Sequence, residues 1–139
     1  MEKGDKMREV ELLAPAGDLE KLKIAFEYGA DAVYIGGEIF GMRSAAKNFT
    51  KENMIEGVNF AHERGKKVFV TCNIIPRSED LEILRDYLLE LEEIGVDAVI
   101  VSDPGVFKVV KETIPNMEVH ISTQASTTNY NAANFWYNK

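Results

Sequence analysis

"GADAVYI" at Gly29–Ile35 returns almost unchanged as "GVDAVIV" at Gly95–Val101, and "GKKVFV" from Gly65 is a looser third copy. Each copy joins a glycine that can stop a helix to a short turn and then to an apolar run of strand character. That joint is what consecutive αβ units of one parallel sheet require. The surrounding sequence fits it. Leu12–Ala14 is an apolar run closed by Pro15, Ala16 and Gly17, and Asp18 can cap a helix with Leu19, Leu22 and Phe26 on one face. Ala32–Ile35 is the second strand. Thr50 caps a helix carrying Met54, Val58 and Ala61, and a third strand runs from Val68 through Asn73. Leu81, Leu84, Leu88 and Leu91 mark the third helix, stopped at Gly95. Ala98–Val101 is strand four. Asp103 before Pro104 opens a helix with Val106, Val109 and Val110 inward, and Val119–Ser122 is strand five.

Such repeats either stay open as a doubly wound sheet, which five strands would complete, or close into an eight-stranded barrel, of which this would be about half. The ending "HISTQASTTNYNAANFWYNK" at 120–139 tips the choice, because Tyr130, Ala133, Phe135, Trp136 and Tyr137 begin a fifth helix just before Lys139. We therefore expect an α/β chain of parallel βα repeats: the first half of a TIM (β/α)8-type barrel, truncated in the fifth βα unit. Residues 1–10 are expected as a flexible N-terminus and residues 11–139 as the partial barrel domain. Half a barrel leaves two sheet edges and an inner face open, so the expected partner is the rest of the barrel or a second copy of the chain.

Hydrophobic residues make up 45% of the 139, enough for a core. A net charge of −7 argues against a sequence-independent nucleic-acid clamp, which needs many lysines and arginines on phosphates, although a nucleic-acid substrate met through a local basic rim stays open. With no signal peptide and no membrane-spanning apolar run, the expectation is a cytoplasmic protein that does not engage a membrane. The one cysteine, Cys72, supports neither an intramolecular disulfide nor a metal cluster and suits a reducing compartment.

In both folds function gathers at the carboxyl ends of the strands. Gly36, Gly37 and Gly41 with Arg43 can bring backbone to an anion, or simply make a tight loop. Asp103 reads first as a helix cap. Asn73, an amide at the end of an apolar strand, needs hydrogen-bond partners, which substrate or a neighbouring loop can supply. His120 shares a strand side with Ser122, but no second ligand stands at metal spacing, and a core histidine with its hydrogen bonds made is the expectation; His62 lacks the paired helical pattern of a zinc site. Cys72 reads as a buried small hydrophobe, since no base is aimed at it. In "STQAST" plus Asn129, helix capping explains Thr127–Asn129. Gln124, a long amide flanked by hydroxyls, better suits a polar planar ligand. No metal site is expected.

"ELLAPAGDLEKLKIAFEYGADAVYIGG" (11–37), "FGMRSAAKNFT" (40–50), "CNI" (72–74) and "HISTQASTTNYNAANFW" (120–136) together resemble the amino-terminal half of peptidase family U-32, the collagenase-like protease family. The resemblance implies a barrel built from βα units and peptidase activity of unassigned type. Other members are similar to hydroxylases that act without oxygen on RNA bases or quinone precursors, with prephenate implicated as hydroxyl source. It also implies a cysteine-rich pattern further along the chain that can hold an iron–sulfur cluster in the full-length parent; Cys72 does not match it, so no cofactor is expected in this segment. Carried over by position, Arg43, Asn73, Ser122, Thr123, Gln124 and Asn129 become expected substrate-binding positions, while Asn48 and Phe49 are expected to pin the second loop. Peptide, RNA or a small planar molecule is the implied substrate. The competing reading is a non-catalytic half barrel that self-associates.

Overall fold

A computed structural model of the chain describes residues 9–38 and 49–139. Among these residues strands and helices alternate: β1 (Leu13–Pro15), α1 (Leu19–Glu27), β2 (Ala32–Gly36), α2 (Lys51–His62), β3 (Lys67–Cys72), α3 (Leu81–Ile94), β4 (Ala98–Val101), α4 (Pro104–Thr113), β5 (Glu118–Ile121) and α5 (Tyr130–Tyr137). Single 3-10 turns at Ser78–Asp80 and Thr123–Ala125 lead into α3 and follow β5.

Four of the helices start where a short polar side chain accepts a backbone N–H of the first turn. Asp18 takes it from Lys21 at 2.9 Å, Thr50 from Asn53 at 3.2 Å, Asp103 from Val106 at 2.9 Å and Asn129 from Ala132 at 2.9 Å. Each cap satisfies a donor the helix cannot, for about 1 kcal/mol.

The repeated joint owes its sequence to two features. Gly29 and Gly95 sit at φ 102° and 89°, a region costly to any residue with a Cβ. The aspartate two residues later then clamps the start of the preceding strand. Asp31 donates its N–H to the Leu12 carbonyl at 2.8 Å while its Oδ2 accepts the Leu12 N–H at 2.8 Å. Asp97 does the same to Val68, at 2.9 and 2.8 Å. A basic group closes each clamp: Lys66 on Asp31 at 3.1 Å and His62 on Asp97 at 3.0 Å.

The sheet order is β1-β2-β3-β4-β5, parallel throughout. A doubly wound sheet must reverse its strand order to put helices on both faces. Here each strand is laid beside the one before it. With crossovers of one hand, every helix falls on the same face, as in an arc of a TIM-type barrel. The core confirms it. Val33, Ile35, Val68, Val70, Cys72, Val99 and Val101 form one cluster with Leu22, Met54, Val58, Leu84, Leu88, Leu91, Val106 and Val110 from the helices. Among the described residues the opposite face carries a small cluster of Ala32, Phe69 and Ala98 with Ile100 beside it. Its rows follow from the register: Tyr34, Phe69, Ala98 and Glu118 lie side by side, then Gly36, Thr71, Ile100 and His120 nearer the carboxyl ends.

Strand limits differ slightly from those read in the sequence. β1 is Leu13–Pro15 rather than Leu12–Ala14, because Leu12 is held by the Asp31 clamp. β3 stops at Cys72, leaving Asn73 one step outside. β5 is shifted back by one residue because the Ser122 hydroxyl accepts the Gln124 N–H at 3.2 Å and turns the chain. No helix among the described residues is long and apolar enough to cross a membrane.

Candidate functional site

The expected positions scatter over the carboxyl-end loops in different states. Arg43 lies outside the described residues, as do Gly41 and Asn48. Phe49 is buried and bridges to Gly37, its N–H reaching the Gly36 carbonyl at 2.9 Å, so it fastens the second loop to β2. Asn73, half-buried after β3, makes no side-chain hydrogen bond among the described residues. Asp103 is the cap of α4.

Beyond β5 the polar residues converge. The Ser122 N–H joins the Val101 carbonyl at 2.7 Å, tying the end of β5 to β4. The 3-10 turn follows and ends at Ser126, the one described non-glycine residue with positive φ, at 53°. The result is a cavity of about 480 Å³ whose wall includes Ser122, Thr123, Ser126, Thr127, Thr128 and Trp136. The Trp136 ring stands edge-on to Phe107 of α4, with centroids 5.6 Å apart, which fixes the indole at the cavity wall. Gln124 is exposed and is not part of this wall. Asn129 has committed its Oδ1 to capping α5, so its amide nitrogen is the group left for a ligand.

Two groups behave differently from each other on the two sheet faces. Cys72 is fully buried among the helix-facing apolar residues, and burial pushes its thiol up to about 12, so it is neither a nucleophile nor a metal ligand at neutral pH. No three His, Cys, Asp or Glu side chains converge as a metal site among the described residues. His120 corrects the expectation of a core histidine. It lies on the face the helices leave open, its side chain 34% exposed, with Nε2 on Glu118 Oε1 at 2.7 Å and its ring edge-on to Phe69 at 4.6 Å. The open face puts it there: by register His120 follows Thr71 and Ile100. The signal available in the sequence was the spacing of Glu118 and His120, two apart on a strand and hence on one side. Trp136 likewise read only as a helix residue, since its place on the cavity wall depends on α5 folding back over the turn.

The model of peptidase family U32 matches residues 17–139. The chain is 52% identical over 126 residues to tRNA hydroxylation protein P1 of Bacillus subtilis (strain 168), an alignment covering 91% of this chain and 30% of that protein. It therefore spans about a third of that relative's length. Among solved structures, the U32 peptidase Mk0906 superposes with a TM-score of 0.69 at 17% identity, over 90% of this chain and 53% of that one. A type I 3-dehydroquinate dehydratase from Clostridium difficile superposes with a TM-score of 0.51 at 17% identity, over 81% and 51%. At such identities these two likenesses concern the fold alone. With the family model spanning all but the first strand, the chain belongs to peptidase family U32.

Proposed function

We propose that the chain supplies the first strands and the substrate loops of a cytoplasmic enzyme that hydroxylates a base in tRNA. The observation that carries this reading is the cavity beyond β5, whose wall combines the fixed Trp136 indole and the apolar Ile121 and Ala133 with the hydroxyl residues Ser122, Thr123, Ser126, Thr127 and Thr128. A planar ring gains stacking from an indole, and Ser and Thr hydroxyls can each donate or accept, matching the alternating N–H and C=O groups at the edge of a pyrimidine. The relative named for tRNA hydroxylation supports the same substrate. Peptide cleavage is less well served. Cys72 is sealed in the core and the Ser122 hydroxyl is turned to a backbone N–H, so the described residues pair no nucleophile with a base.

An iron–sulfur cluster in the parent is part of the proposal only as a group held elsewhere. The buried Cys72, pointing into the helix-facing core, does not fit as its ligand. Nucleoside mass spectrometry of tRNA from cells with the gene deleted tests the reading. One pyrimidine nucleoside carrying an added oxygen should disappear and return on complementation; an unchanged nucleoside profile overturns it.

A further inference from the structure

We propose that the groove between α4 and α5 binds the phosphate backbone of the RNA whose base enters the cavity beyond β5; this rests on the base-hydroxylation reading and names the surface on which that substrate docks. The groove, of about 360 Å³, is lined by Phe107, Lys108 and Lys111 from α4 and by Phe135, Trp136 and Lys139 at α5. Each side contributes an aromatic ring with a lysine four residues later, one turn further along the same face. The Lys111 Nζ stands 5.7 Å from the centre of the Phe107 ring, and the Lys139 Nζ 5.0 Å from that of Phe135. Trp136 belongs to two walls, that of this groove and that of the cavity beyond β5. A strand that places a base in the cavity therefore has the groove beside it for its backbone.

Charge selects the occupant. The 139 residues include 23 Asp and Glu, yet none lies beyond Glu118, so α5 and the turn before it carry no acidic side chain. Lys111 and Lys139 are exposed, and among the described residues neither has a carboxylate at ion-pair distance. Lys108 meets Glu112 at 3.6 Å but stays 77% exposed, and Glu112 also meets Arg85 at 3.9 Å. The Asp103 carboxylate at the head of α4 is committed to the Val106 N–H at 2.9 Å. Three ammonium groups around one groove repel one another, and a polyanion relieves that repulsion where an apolar partner does not. An ammonium above an exposed ring is held weakly, so a phosphate takes it and leaves the ring face for a neighbouring base. Phe135, half exposed, offers such a face. An acidic protein segment would match the charge, but the wall shared with the cavity favours the RNA.

The test uses the complete protein and bulk tRNA from cells with the gene deleted, which carries the unhydroxylated base. Combining Lys108→Ala, Lys111→Ala and Lys139→Ala should weaken binding by about 10-fold or more and flatten the slope of log K against log salt by about 2–3, while the corresponding three Lys→Arg changes should leave both near the native values. Phe135→Ala should weaken binding by about 10-fold with the slope unchanged. In turnover the alanine triple should raise KM for tRNA by a similar factor at nearly constant kcat. All three lysines should react with an acetylating reagent in the free protein and be protected by tRNA. Unaltered affinity and slope in the alanine triple, or an arginine triple as weak as the alanine one, overturns the assignment. Lysines already shielded in the free complete protein overturn it as well, because a protein segment then fills the groove. If the native complete protein hydroxylates no tRNA base, it is the base-hydroxylation reading that falls; hydroxylation that persists with binding indifferent to the lysines removes the groove alone.

Discussion

Asp31 and Asp97 explain why a turn residue is repeated almost letter for letter. Each gives its own N–H to a residue at the start of the preceding strand, Leu12 just before β1 and Val68 second in β3, and takes that residue's N–H on its carboxylate, which fixes the strand's register where it begins. The third copy has no aspartate and instead contributes Lys66 to the Asp31 clamp. The electrostatics follow. The Leu12 N–H, and after it Lys66, hold the Asp31 carboxyl below its ordinary 3.8. A carboxyl with a lowered folded pKa contributes stability that is fully present above the unfolded value and is lost as pH falls through the folded one. Urea unfolding of the native chain and of Asp31→Asn across pH should therefore show the native chain more stable above about pH 4–5 and the two curves converging below the folded pKa. Parallel curves through that window would mean that the carboxylate does not form its clamp in solution.

Elements were legible where one local rule decided them. The leucine period of α3 leaves Leu84, Leu88 and Leu91 fully buried, worth about 2 kcal/mol each, and the capping residues of α1, α2 and α4 stand where the sequence put them. What escaped depended on packing between elements. The cavity arises only when α5 folds over the turn after β5, which no periodicity encodes. The seat of α3 on β2 is of this kind too. A Cβ on Gly37 would fall on the Tyr87 hydroxyl, which is buried without a hydrogen-bond partner among the described residues and whose pKa burial drives upward. Gly37→Ala should cost about 1–3 kcal/mol by overpacking. Tyr87→Phe, which gives up no hydrogen bond, should change stability by less than about 1 kcal/mol and recover part of that loss in the double variant. Strict additivity in chemical denaturation would show that the two groups do not touch.

The chain as a body is an arc whose outer layer is packed and whose inner face is covered only in part. On that face Tyr34 and Leu13 remain 36% and 40% exposed although Phe69 and Ala98 are buried in a small cluster, and among the described residues β1 and β5 each present an unpaired edge. On the outside, Phe135 beside Trp136 is half exposed. Unpaired edges flanking an apolar face are what sheets otherwise cover or close. We propose a second copy of the chain, or the rest of the barrel, as the covering partner. For the isolated 139 residues this gives a definite expectation: sedimentation should show a concentration-dependent dimer at tens of micromolar, and a dye that reports apolar surface should bind the monomer and be released as the dimer forms. The acid balance sets the salt response. At net charge −7 two copies repel, so raising salt should strengthen the association rather than weaken it. A dye-negative monomer at every concentration and salt would mean that the inner face is satisfied within one chain, and the open arc would then be the wrong description of the protein in solution.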